Sequence, residues 1–191
     1  MAPWIVVLMQ VETFDIDGPL LLTPTRKGDA RGFFSEVFRA DLFEAAAGPV
    51  TFVQDNHSHS SRRGVIRGLH YQTPPFAQGK LVRVTRGAVY DVAVDARRKS
   101  PTFGRHVGVE LSVDNWRQLW IPPGFLHGFC TLTEDVEFLY KVTAHYSAEH
   151  DGAVAFDDPD IAVDWPLSGA EPLVSDKDRK AQRLADLREI F

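Results

Sequence analysis

Val136-Glu137-Phe138-Leu139-Tyr140-Lys141-Val142 carries the alternation of a β-strand: Val136, Phe138, Tyr140 and Val142 fall on one face, Glu137 and Lys141 on the other. Tyr140 is therefore expected to point into the interior. Similar short runs recur at Phe33-Phe34-Ser35-Glu36-Val37-Phe38, Val50-Thr51-Phe52-Val53, Leu81 to Val84, Ala88 to Val94, His106 to Leu111 and Gln118 to Ile121, with glycines between them. Several short strands at nearly regular spacing predict an all-β barrel or sandwich. Helical patterning is confined to Asp41–Ala47 and a charged stretch from about Asp176 to Ile190.

The 191 residues suit one domain, read as residues 11–191 behind an N-terminal arm of residues 1–10. A single cysteine allows no internal disulfide, and Cys130, in an apolar run, reads as a packing residue. A net charge of −5 argues against a broad nucleic-acid surface, and 11% aromatic residues argue against disorder. The apolar run Trp4 to Met9 is far shorter than the ~20 residues of a membrane span, and no basic leader or small-residue cleavage site accompanies it. It reads as an extra strand, or as a ragged start with Met9 as an alternative initiator. The protein is accordingly expected in the cytoplasm, with no membrane partner.

Charge is unevenly placed. Between Asn56 and Tyr90 there are six basic residues and no acidic one, whereas Val142 to Asp176 holds eight acidic residues and no Lys or Arg. Arg62 and Arg63 sit in a turn and suit a solvated face. Lys80 shares its strand face with Val82 and Val84, and a lysine on an apolar face needs a polar partner or a chemical task. Tyr140 raises the same question, its plain alternative being a core tyrosine bonded to a backbone acceptor. A basic stretch around strands that also hold His70 suggests an anion site in or at the mouth of the barrel.

Two histidine segments look like barrel-mouth sites, Arg67-Gly68-Leu69-His70-Tyr71-Gln72 and Pro122-Pro123-Gly124-Phe125-Leu126-His127-Gly128. The second resembles a motif of the cupin superfamily, small jelly-roll β-barrels with a central pocket. Many cupins hold a metal through His-x-His, Glu and a later His. Here Gln72 stands in place of the second His and no Glu follows before Glu110, so no metal site is expected. Acid–base or hydrogen-bonding work is the remaining use for His70 and His127.

Further segments make the resemblance specific. Ala30-Arg31-Gly32-Phe33-Phe34-Ser35-Glu36, Phe52-Val53-Gln54-Asp55-Asn56-His57-Ser58, Gly64 to Gln72, Gln78-Gly79-Lys80-Leu81-Val82, Trp120-Ile121-Pro122-Pro123-Gly124, Phe138-Leu139-Tyr140-Lys141 and Ser175-Asp176-Lys177-Asp178 are similar to the dTDP-4-dehydrorhamnose 3,5-epimerase family, in order from about Val11 onward. The resemblance implies a metal-free cupin-type barrel with a short C-terminal helical segment, a homodimer, and no cofactor. It implies epimerisation of carbons 3 and 5 of dTDP-4-dehydro-6-deoxy-D-glucose through enolates, on the route to dTDP-L-rhamnose. His70 matches the base, Asp178 its carboxylate partner, Tyr140 the proton donor, and Lys80 the cation near the 4-keto oxygen. His127 matches a further polar contact. Arg31, Glu36, Gln54, Asn56, Arg67 and Lys177 match binding positions for the nucleotide half, and Tyr146 the aromatic that stacks on thymine. Asp151 stands where the family commonly has Glu.

Other readings stay open at this point. Asp178 follows Ser175 by three residues and could serve as a capping partner. Arg67 and His70 have opposite parity, so a straight strand would send them to opposite faces. A bulge at Gly68 would re-aim one of them, unless Arg67 serves a neighbouring subunit. His57, His59, His106, His145 and His150 read as surface or turn residues. The functional alternatives are a relative that epimerises only carbon 3 or only carbon 5, a non-catalytic sugar-nucleotide-binding cupin, and a metal-dependent cupin oxygenase.

Overall fold

Short apolar runs broken by glycine and proline fold into antiparallel strands, which the computed structural model describes over residues 9–187 and 191. The chain runs through β1 (Met9–Thr13), β2 (Leu20–Pro24), β3 (Lys27–Asp29), β4 (Gly32–Phe34), α1 (Ala40–Ala47), β5 (Gln54–Ser60) and β6 (Ile66–Gln72). It continues through β7 (Lys80–Arg86), β8 (Ala88–Asp95), β9 (His106–Ser112), β10 (Gln118–Ile121), β11 (Phe125–Thr131), β12 (Val136–Val142), β13 (Asp151–Ala153) and α2 (Asp176–Arg179). One sheet is ordered β1-β2-β10-β7-β12-β5 and the other β13-β6-β11-β8-β9, while β3 and β4 form a separate hairpin. This is the expected all-β jelly-roll architecture, as a two-sheet sandwich.

Alternation decides what each sheet buries. Val82, Val84, Val136 and Phe138 of the six-stranded sheet meet Val89, Ala93, Phe125 and Phe129 of the five-stranded sheet in the central core. On the outer side of the six-stranded sheet, Leu22, Leu81 and Trp120 pack under Phe43 of α1. The outer side of the five-stranded sheet, including Ile66, Leu69 and Leu126, is covered by Ile161, Trp165 and Leu184. Cys130 is fully buried there, and burial pushes its thiol up to about 11. No described helix is long and apolar enough to cross a membrane.

Three expected elements need correction. Val50 to Val53 is not a strand: Phe52 joins Phe38, Phe43 and Trp120 in an aromatic cluster, and pairing begins only beyond it, in β5. Of Phe33 to Phe38, only Phe33 and Phe34 belong to a strand. Among its described residues, the stretch from Asp176 to Ile190 is helical only at α2 and a 3₁₀ turn, Leu184–Asp186. Its backbone is satisfied elsewhere, by Ala155 N–H donating to Gln182 O (2.8 Å) and Leu184 N–H donating to Asp158 Oδ2 (2.7 Å). The apolar run Trp4 to Leu8 lies outside the described residues, and Met9 opens β1.

Candidate active site

β6 is an irregular strand, and the site depends on that. His70 pairs with His127 and Arg67 with Phe129, so β11 advances two residues where β6 advances three. The extra residue makes a bulge around Gly68, whose φ of +128° strains any residue bearing a Cβ. A Cβ there would lie 2.5 Å from Gly128 Cα and 2.8 Å from His127 O. The bulge turns Arg67 and His70, opposite in parity, onto one cavity of about 450 Å³ between the sheets. The Arg67 guanidinium is steadied by donating to Ser60 Oγ (3.3 Å) and His59 O (3.1 Å).

Asp178 reaches this cavity from α2. Ser175 caps the helix, its Oγ accepting from Asp178 N–H at 3.1 Å. The Asp178 carboxylate is thereby free to turn inward, where Oδ1 lies 2.6 Å from His70 Nε2 and Oδ2 accepts weakly from Gly68 N–H at 3.5 Å. Asp178 is 3% exposed. Burial raises its pKa, but the His70 hydrogen bond and charge, with Ser175 and the Gly68 N–H, outweigh it and hold the carboxyl below its ordinary value. The serine does the capping and the aspartate pairs with the histidine.

Lys80 on β7 and Tyr140 on β12 line the same cavity from the facing sheet. Tyr140 packs beside Phe138, ring centroids 6.0 Å apart, and burial pushes its phenol above the ordinary value. Among the described residues its hydroxyl has no hydrogen-bond partner, which sets aside the core-tyrosine reading. Burial lowers the Lys80 ammonium to about 8, with Lys177 adding to the effect and Asp91 and Asp151 resisting it. His127, on β11, stacks at 23° on Phe138 and holds its Nε2 within 3.0 and 3.1 Å of the two Asp91 oxygens. Burial drives both partners toward their neutral forms, raising Asp91 and lowering His127, while each restrains the other.

Asp91 was not singled out from the sequence, although the signal was present. In Val89-Tyr90-Asp91-Val92-Ala93 the aspartate shares parity with Val89 and Ala93, both of the central core. A carboxylate on an inward face requires a partner. Ser58 and Ser60 of β5 were missed for a different reason: nothing apolar marks their strand.

An adjoining cavity of about 280 Å³ shares His70, Lys80, Tyr140 and Lys177 with the first and adds Gln54, Asn56, Tyr146 and Asp151. Gln54 donates to Asn56 Oδ1 (2.8 Å), and its Oε1 accepts from Tyr146 N–H (3.2 Å). Tyr146 is 60% exposed, its hydroxyl donating to Asp151 Oδ2 at 3.2 Å. Lys177 forms an ion pair with the same Asp151 oxygen. Every residue singled out for the site thus lines one of two joined cavities, except Arg31 and Glu36. Arg31, with a side chain 90% exposed, pairs with Asp29 at the tip of the β3–β4 hairpin. Glu36 lies beyond β4 in a separate cleft with Lys27 and Ser35. Among the described residues, no three His, Cys, Asp or Glu side chains gather as a metal-ligand set.

A histidine on one sheet paired with an aspartate from α2, facing a phenol and an ammonium on the other sheet, is equipment for moving protons on and off carbon. The chain belongs to the dTDP-4-dehydrorhamnose 3,5-epimerase family, which it matches over residues 13–186. It is 54% identical to the dTDP-4-dehydrorhamnose 3,5-epimerase of Pseudomonas aeruginosa, across 93% of this chain and 97% of that one. A dTDP-6-deoxy-D-glucose-3,5-epimerase from Legionella pneumophila, solved in complex with dTDP-4-keto-L-rhamnose, is 47% identical. It superposes with a TM-score of 0.90 over 94% of this chain and 95% of that one. A 3'-monoepimerase from Streptomyces bikiniensis, in complex with dTDP-quinovose, is 35% identical with a TM-score of 0.86 over 91% and 87% of the two chains.

Proposed function

We propose that this protein is a dTDP-4-dehydrorhamnose 3,5-epimerase, converting dTDP-4-dehydro-6-deoxy-D-glucose to dTDP-4-dehydro-L-rhamnose without a cofactor, on the route to dTDP-L-rhamnose. The observation that carries this reading is the buried Asp178 carboxylate 2.6 Å from His70 Nε2, with Tyr140 approaching from the opposite sheet. The 4-keto group acidifies the hydrogens on carbons 3 and 5. Because Asp178 is held ionised it can only accept, so Nε2 of His70 carries the proton and the Nδ1 lone pair is the base. Proton removal leaves an enolate, whose oxygen the Lys80 ammonium stabilises. Tyr140 returns a proton to the other face of the carbon, which inverts it. His127, fixed by Asp91, supplies a further polar contact to the sugar.

The sugar occupies the cavity of about 450 Å³, and Arg67 and Lys177 meet the diphosphate, where the arginine fork suits phosphate oxygens. The nucleoside extends into the adjoining cavity, with Tyr146 stacking on the base and Gln54, Asn56 and Asp151 beside it. Arg31 and Glu36 line neither cavity of their own chain. They are assigned to the nucleotide site of a second copy in a homodimer. The enzyme works in the cytoplasm on this reading.

Incubation with dTDP-4-dehydro-6-deoxy-glucose in deuterated water, followed by proton NMR, tests the assignment. Deuterium enters at both carbon 3 and carbon 5. Exchange at one carbon alone assigns a mono-epimerase instead, and binding without exchange reduces the protein to a sugar-nucleotide binder.

A further inference from the structure

The turn between β9 and β10, Asp114-Asn115-Trp116-Arg117, is held by four hydrogen bonds of Asn115. Asn115 Oδ1 accepts from the N–H groups of Ser112 (3.0 Å) and Arg117 (3.1 Å), while its own N–H donates to Ser112 Oγ (3.1 Å) and its Nδ2 to Glu110 O (2.9 Å). Trp116 adopts φ +60°, a left-handed conformation that a bulky residue keeps only when its surroundings compel it.

The indole so presented holds the β3–β4 hairpin. Its Nε1 donates to Ser35 Oγ (3.1 Å), and Phe33 meets it edge-on, centroids 5.0 Å apart at 80°. The Arg26 guanidinium lies 5.2 Å from both the Phe33 and Trp116 rings. Arg83 lies 5.1 Å from the indole and, among the described residues, has no carboxylate partner. A two-stranded hairpin is marginal by itself, and this one is paired to neither main sheet. The Trp116 contacts therefore decide where its tip points.

We propose that Trp116 is a positioning residue for substrate binding: it fixes the hairpin so that Arg31 and Glu36 meet the nucleotide half of a substrate bound by a second copy. This rests on the reading above that the hairpin serves such a site. Kinetics with dTDP-4-dehydro-6-deoxy-glucose test it. Trp116→Ala raises KM about tenfold and leaves kcat within about twofold. Trp116→Phe, which keeps a ring for Phe33 and Arg26, recovers most of the loss. Arg26→Gln, at an exposed position where folding is not at stake, raises KM about threefold. Arg31→Ala raises KM as well, and adding Trp116→Ala to it changes little, because there is no longer an arginine to misplace.

If Arg31→Ala raises KM while Trp116→Ala and Arg26→Gln leave it unchanged, the positioning role is overturned and the hairpin's role in binding stands. If Arg31→Ala leaves KM unchanged, the hairpin reading fails and takes this inference with it. A fall in kcat, with additive losses in the double variant, also overturns it, leaving Trp116 a general structural part.

Discussion

On the proposed mechanism Lys80 carries a charge that the reaction needs and the barrel resists. Burial brings its ammonium down to about 8, so it gives up its proton as pH rises through that value. The neutral amine cannot stabilise an enolate, and kcat/KM, which reports the free enzyme, is expected to fall about tenfold per pH unit above 8. Tyr140 is excluded as the source of that limb, because burial moves the phenol upward from its ordinary 10.0. Lys80→Arg keeps its charge throughout, and pH–rate profiles of that variant should show a lower plateau without the limb. Persistence of the limb in Lys80→Arg would assign it to another group. Lys80 and Tyr140 were both legible as inward-facing because β7 and β12 alternate cleanly. Asp178 was not legible from its own surroundings, where a capping role fits position 178 better; the family resemblance alone paired it with His70, 108 residues away in sequence, and the fold has Ser175 capping and Asp178 turned toward His70.

At the scale of elements, legibility tracked what each strand faces. β12 and β10 lie over the core, their alternation is apolar, and their limits were read correctly. β5 reads Gln54-Asp55-Asn56-His57-Ser58-His59-Ser60, and its inward side chains Gln54, Asn56 and Ser58 face cavities rather than core. A strand that lines a polar site has no hydrophobic period to detect, so it was placed too early, at Val50 to Val53. The opposite parity of Arg67 and His70 left a bulge in β6 as one of two readings, and the chemistry of the bulge is testable. Gly68→Ala puts a methyl 2.5 Å from Gly128 Cα at φ +128°, a combination costing about 3 kcal/mol or more. Thermal melts should show a drop of about 6–12 °C. Activity should fall even well below the melt, since a strand that straightens to relieve the clash can keep only one of Arg67 and His70 on the cavity. A variant that melts like the parent and turns over normally would remove the bulge from the site's design.

The whole molecule raises the question of which copy each side chain serves. The excess acid of Val142 to Asp176 leaves the cavity-lining strands free to be basic, so a negative chain can still hold a diphosphate. Arg31 alone among the basic residues assigned to the substrate lines neither cavity of its own chain, and an exposed hairpin bearing Phe33 and Phe34 at 56% and 68% exposure carries it. If that hairpin completes a second copy's site, each active centre is built from two chains, His70 from one and Arg31 from the other. Mixing Arg31→Ala with His70→Ala protein after subunit exchange then creates heterodimers in which one centre has lost both residues and the other has lost neither. In an equal mixture half the dimers are mixed, so about a quarter of the sites regain full function. At substrate concentrations well below KM, activity should climb from the mean of the two parents toward about a quarter of the unmutated rate, on the timescale of exchange. Were Arg31 to serve its own chain, every chain in the mixture would carry one defect in its own site, and the activity would stay at the mean of the parents however long the exchange ran.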